Sequence, residues 1–223
     1  MRDLEMAFLA KITASLTHEI ANTFAIILES AGLLSDLISL SPEGSFPHQE
    51  KFQRVLGNIN DQVKRGVDIS GRLNQFAHSM DEPLAVVNVP ELLERIVLLM
   101  RRLAKRRGIG LTTQASDRHV AIRSDPFRLQ LVLATVIEHL TEALESGGSI
   151  ILQSQSAPSE AAILVEAQGP KKSGWEGAAA HLFPTLQEVL DALQAKLAVS
   201  TPPAGEGVVM TISAAAGQEK QED

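Results

Sequence analysis

The side chains best suited to chemistry lie within Ser15-Leu16-Thr17-His18-Glu19-Ile20-Ala21-Asn22: an imidazole, a carboxylate beside it and an amide one helical turn on. Apolar residues around them fall at Leu4, Phe8, Ile12, Leu16, Ile20, Phe24, Ile27, Ala31, Leu34 and Ile38. Steps of three and four predict a long amphipathic helix with one apolar stripe. At roughly 100° per residue, His18 falls nearly opposite that stripe, and Lys11, Ser15, Asn22, Glu29 and Asp36 share its face. An imidazole on the wet side of a rigid helix is suited to act as a nucleophile. His-Glu alone is a weak motif that a solvated surface histidine also satisfies. A zinc-peptidase helix is excluded, because Asn22 stands where the second metal-binding histidine would be needed.

The elements that must hold these residues are legible in the spacing. The first helix is expected over about 3–40 and meets the breaker Ser41-Pro42-Glu43-Gly44-Ser45-Phe46-Pro47. Phe52, Val55, Leu56, Ile59, Val63, Val67, Leu73 and Phe76 predict a second long helix. Together they form an antiparallel hairpin over residues 1–80. Such a hairpin has too little interior for so many apolar residues, so a homodimer closing a four-helix bundle is expected.

The pattern changes at Met80-Asp81-Glu82-Pro83, and a second domain is expected over 84–216. A strand at Ala85–Val89 leads to Pro90 and a helix to Arg107 that stops at Gly108; short strands follow at Ile109–Thr113 and Val120–Ile122. Asp125 and Pro126 open a helix to Glu145, as N-cap and first-turn residues. Strands at Ser149–Ser154 and Ala161–Ala167 form a hairpin, and an irregular stretch with Gly169, Pro170, Gly174 and Gly177 follows. A helix at Thr185–Leu197 and a strand at Gly207–Ala214 complete an α+β sandwich, with helices on one face of a single sheet. Residues 217–223 are expected to be a disordered tail.

Composition narrows the function. Without cysteine there is no disulfide, thiolate metal site or cysteine nucleophile. A net charge of -7 argues against general binding to nucleic acid or anionic membranes. Arg101, Arg102, Lys105, Arg106 and Arg107 read as the wet C-terminal end of a helix, where cations suit the dipole. No uninterrupted apolar run approaches the roughly 20 residues that span a bilayer, and the N-terminus lacks the apolar core of a signal peptide. A soluble, cytoplasmic protein is expected.

Residues 8–80 resemble the dimerisation and phosphotransfer hairpin of bacterial sensor histidine kinases. That family's box, Ser-His-Glu-Leu-Arg-Asn/Thr-Pro-Leu, reads here Thr17-His18-Glu19-Ile20-Ala21-Asn22-Thr23-Phe24; the arginine and proline do not match. The resemblance implies that His18 is the phosphorylated residue and Glu19 the acid that assists proton removal. Asn22 then stands where the family positions the water for dephosphorylation. The chemistry agrees, since a neutral, exposed imidazole attacks phosphorus and a carboxylate raises its basicity. Receiver domains of response regulators dock beside the histidine in that family, which makes Ser15, Asn22 and Thr23 candidate contacts.

Residues 84–214 resemble the kinase family's ATP-binding domain in layout, with its nucleotide boxes altered. The family's Asp-Pro-x-Arg-Leu-x-x-Val-Leu-x-Asn-Leu-x-x-Asn-Ala helix keeps Asp125, Pro126, Arg128, Leu129, Val132 and Leu133. Its two asparagines are Thr135 and His139. Imidazole is a poor Mg²⁺ ligand, so His139 reads as a helix residue. Asp-x-Gly-x-Gly has become Ala167-Gln168-Gly169-Pro170-Lys171, and the lid, Gly174-Trp175-Glu176-Gly177, is no clear phosphate cradle. The combination resembles dimeric histidine phosphotransferases, which pass phosphoryl groups between receiver aspartates and need no ATP. The absence of a sensor segment ahead of the hairpin fits that expectation. No cofactor of its own is implied, because the receiver supplies Mg²⁺. An ATP-dependent kinase with a divergent pocket and a non-catalytic adaptor remain the alternatives. His48, His78, His119 and His181 are assigned no role.

Overall fold

The computed structural model describes residues 1–40, 48–81, 83–114, 120–156, 160–170, 172, 175–200 and 207–215. The expected turn at 41–47, His119 and the tail lie outside them. The chain divides into two compact units, Met6–Ala77 and Met1–Glu5 with His78–Asp223.

In the first unit, α1 (Arg2–Ser39) and α2 (Gln49–His78) run antiparallel. Three contacts fix that direction. Phe8 meets Phe76 edge to face with ring centroids 5.4 Å apart, Thr23 Cγ2 packs at Gly66, and Asn58 Nδ2 donates to Ser30 Oγ at 3.0 Å. The seam on α1 is Phe8, Ile12, Leu16, Thr23, Ser30, Leu34 and Leu37, and on α2 Val55, Ile69 and Phe76.

This corrects the single stripe expected from sequence. Phe24 is 62 % exposed and Ile38 57 %. Each step of four residues advances 400°, so the series from Leu4 to Phe24 precesses away from the seam by about 40° per step. Beyond the seam, Met6, Phe24, Leu28 and Ile38 on α1, with Leu56, Val63 and Val67 on α2, are apolar and exposed. With apolar residues on two faces, α1 is by length and composition apolar enough to cross a membrane. That differs from the expectation drawn from uninterrupted runs.

The second unit is built from β1 (Ala85–Asn88), α3 (Val89–Arg106), β2 (Gly110–Thr113), β3 (Ala121–Ser124), α4 (Pro126–Ala143), β4 (Ser149–Ser156), β5 (Glu160–Gln168), α5 (Trp175–Ala192), β6 (Lys196–Ser200) and β7 (Gly207–Ala215). Caps set the helix starts. Asn88 accepts from the Glu91 amide and returns a bond from Nδ2 to Glu91 Oε1 at 2.9 Å. Asp125 Oδ1 accepts from the Arg128 amide at 2.9 Å, ahead of Pro126. Each side-chain oxygen satisfies a first-turn donor that the helix leaves open.

The strands form two sheets rather than one. β1 pairs antiparallel with β3, and the larger sheet has the order β2-β4-β5-β7-β6. β2 runs parallel to β4, and the remaining pairs of that sheet are antiparallel. Alternate residues Ile150 and Leu152 on β4 and Ile163, Val165 and Ala167 on β5 are buried. So are Ile96, Met100, Leu133, Ile137 and Leu140 on α3 and α4, which places the core between sheet and helices.

The C-terminal elements depart most from expectation. α5 begins at Trp175 and continues through Gly177 and Pro184, where a loop was expected; the alanines at 178–180 favour helix locally. It ends at Ala192, ahead of the expected Leu197. Gln194 adopts φ 52°, and Lys196–Ser200 becomes a strand paired with β7. Leu193 and Leu197 continue the helical spacing of Leu186, Val189 and Leu190, so periodicity alone ran past the turn.

Candidate phosphotransfer site

His18 lies near the middle of α1 with its side chain exposed. Asn22 is one turn on, also exposed, and its Nδ2 lies 3.0 Å from His18 Nδ1. An amide nitrogen donates, so Nδ1 accepts in this arrangement. Glu19 and Ser15 are half-buried. Adjacent residues on a helix diverge by about 100°, so it is Asn22, not Glu19, that shares the imidazole's face.

Thr23 was expected to face a partner, and the structure places it otherwise. It is 2 % exposed, its hydroxyl donates to the Glu19 carbonyl at 3.0 Å, and its methyl packs towards Gly66. A residue five positions after His18 is turned by about 140° from it, which carries Thr23 into the hairpin seam.

Spacing also hid a feature of the face. Met6, Leu9, Ala10, Thr13, Ala14, Thr17, Ala21 and Asn22 line, with His18, a groove of about 630 Å³. Ala10, Ala14, Thr17 and Ala21 recur at steps of four, three and four, a row of small residues that lets another surface approach the backbone closely. That regularity is present in the sequence, beneath the stronger pattern of the larger apolar residues.

In the second unit the residues at the expected nucleotide boxes are engaged locally. Thr135 Oγ1 donates to the Leu131 carbonyl at 2.8 Å. His139 is half-buried with Nε2 enclosed, and that atom meets no hydrogen-bond partner among the described residues. Burial lowers the imidazole pKa from its ordinary 6.5, opposed by the Glu142 charge. Gln168 donates to Glu166 at 2.9 Å. Gly169 has φ 119°, and a Cβ there would lie 2.9 Å from Gly148 Cα; glycine is required at this place by backbone crossing alone.

The loop beyond β5 is tied to the end of α4. The Glu145 amide donates to the Pro170 carbonyl at 2.9 Å, the Lys172 amide to Ala143 at 2.8 Å, and Lys172 Nζ to the Glu142 carbonyl at 3.0 Å. Lys171 and Gly174 lie outside the described residues. Among those residues no group of three or more metal-ligating side chains is gathered.

No family model and no curated protein matches the sequence. Solved structures do resemble the fold. Full-length ShkA in complex with AMPPNP aligns at 17 % identity and TM-score 0.51, covering 92 % of this chain and 47 % of that one. The histidine kinase ThkA in complex with the response regulator TrrA aligns at 17 % and 0.50, covering 99 % and 66 %. The nucleotide-free catalytic domain of ThkA aligns at 16 % and 0.50, covering 62 % and 100 %. The chain therefore has the fold of histidine kinases: a helical hairpin followed by an α/β domain of their ATPase type.

Proposed function

We propose that this protein is a histidine phosphotransferase that passes phosphoryl groups between receiver-domain aspartates through His18 and uses no ATP. The observation that carries the reading is an exposed imidazole, held by Asn22 one turn on, at the end of a groove floored by small residues. The resemblance of the His18 box to the kinase phospho-acceptor box supports it, as does the fold.

In the forward step the His18 lone pair attacks the phosphorus of an aspartyl phosphate in line. The new N–P bond forms as the P–O bond to the carboxylate breaks, and the aspartate leaves with that electron pair. Reversal on a second receiver returns the phosphoryl group to an aspartate. Mg²⁺ and the acidic cluster of the receiver neutralise the equatorial oxygens, while this chain contributes position. Glu19 assists as proton acceptor, and Ser15 and Asn22 contact the receiver.

Independence of ATP is supported by the chemistry of the second unit. The aspartate of the resembling Asp-x-Gly-x-Gly box, whose carboxylate reads adenine, is replaced by Ala167, a buried residue with no polar side chain. Mg²⁺ favours oxygen, and His139 offers a half-buried nitrogen. A homodimer is supported by the second apolar stripe on each hairpin helix, including Phe24, Leu28, Val63 and Val67. Two hairpins joined along those stripes form a four-helix bundle.

The test is transfer of label from phosphorylated receiver domains, with ATP as parallel donor. Acid-labile label should reach the wild type from a receiver, fail to reach His18→Gln, and fail to arrive from ATP. Label from ATP would replace this reading with a divergent kinase; no label from any receiver would replace it with a non-catalytic adaptor.

A further inference from the structure

The side chain bonded to His18 Nδ1 belongs to Asn22, at 3.0 Å and four residues on. A neutral imidazole has one N–H and one lone pair, so whatever binds Nδ1 decides what Nε2 can do. A carboxamide can do either. With Nδ2 towards the ring, as observed, Nδ1 accepts and the proton sits on Nε2, which then has no lone pair for phosphorus. With the amide turned over, Oδ1 accepts from Nδ1–H and Nε2 carries the lone pair.

We propose that Asn22 is a positioning residue that sets the His18 tautomer, and that rotation of its amide switches Nε2 between a protonated resting form and a nucleophilic form. The inference rests on His18 being the phosphoryl acceptor and assigns the orienting role to Asn22. Helix geometry favours this, because residues four apart face one another and adjacent residues do not. The small side chains of Ala14, Ala21 and Thr17 on the same groove leave the amide room to turn.

The step balances within the pair. Nε2 gives its lone pair to phosphorus, the P–O bond to the departing carboxylate breaks, and the Nδ1 proton stays in place until the N–P bond has formed, when it is released. The ring becomes a cation as the N–P bond forms, and Oδ1, the negative end of the amide dipole, then faces Nδ1–H. The resting amide orientation presents a donor there and opposes that charge.

The tautomer is read directly from long-range ¹H–¹⁵N correlations of the imidazole in the intact labelled protein, without any partner. The chain has 6 histidines, and His18→Gln identifies the relevant signals. Wild type should show mainly Nε2–H. In Asn22→Asp the carboxylate can only accept, so the ring should shift to Nδ1–H by about fivefold or more in ratio, the scale of one hydrogen bond. Asn22→Ala should lose the bias, and Glu19→Gln should leave it unchanged. A tautomer that ignores both Asn22 variants, or follows Glu19→Gln, overturns the proposal.

Phosphoramidate then serves as a small donor, with ³¹P spectra identifying the phosphorylated nitrogen. Wild type should carry the group on Nε2, and Asn22→Ala should do so several-fold more slowly. Modification at Nδ1 would overturn the switch. If the tautomer follows Asn22 while no receiver exchanges phosphoryl groups, the phosphotransferase reading fails and the tautomer assignment stands.

Discussion

His139 is half-buried on α4 with its Nε2 enclosed, and its environment yields a prediction at the scale of one residue. Burial depresses its folded-state pKa below 6.5. The unfolded chain therefore binds a proton that the folded chain refuses. The resulting stability is fully present above the unfolded value and is lost as pH falls through the folded one. Urea midpoints should drop between pH 7.5 and 5 in wild type, and the part due to His139 should be missing in His139→Asn. Equal slopes for the two proteins would show that this imidazole does not titrate differently on folding. Glu142 opposes the shift and pairs with Arg107 at 3.1 Å, so Arg107→Gln should strengthen its pull on His139 and shallow the slope.

At the scale of an element, α4 depends on its start. Asp125 caps the helix through the Arg128 amide, and Arg128 Nε lies 3.6 Å from Asp125 and 3.0 Å from Glu5. Asp125→Ala should lower the stability of the intact protein by about 1 kcal/mol, while Asp125→Asn, which keeps the cap, should lose much less. Equal losses would transfer the effect from cap to charge. The cap was legible in the sequence, because Asp-Pro before an apolar helix has a local physical meaning. The burial of Thr23 was not, since it depends on which side of α1 receives α2. The strand at Lys196–Ser200 was also hidden, because its leucine spacing continued that of the preceding helix.

At the scale of the whole molecule, the apolar residues outside the hairpin seam set the expected assembly. In the proposed bundle Phe24 and Val67, 62 % and 68 % exposed on the single chain, become covered by a second copy. A carboxylate at either place would cost about 2 kcal/mol or more per buried group. Phe24→Glu combined with Val67→Glu should reduce the sedimentation mass from two chains to one, leaving helical content unchanged. A single-chain mass for wild type would remove the dimer, and a two-chain mass for the double variant would place its interface elsewhere.

The order of helices and strands up to β5, the cap at Asp125, and the exposure of His18 were determined by local sequence, because each follows from spacing or capping over a few residues. Tertiary structure decided the rest. It divided the apolar residues of α1 between seam and surface, separated β1 and β3 from the larger sheet, buried Thr23, and brought the Pro170 carbonyl to the Glu145 amide. These outcomes depend on residues far apart in the chain competing for the same face. Periodicity specifies that a face is apolar, and only packing specifies what covers it.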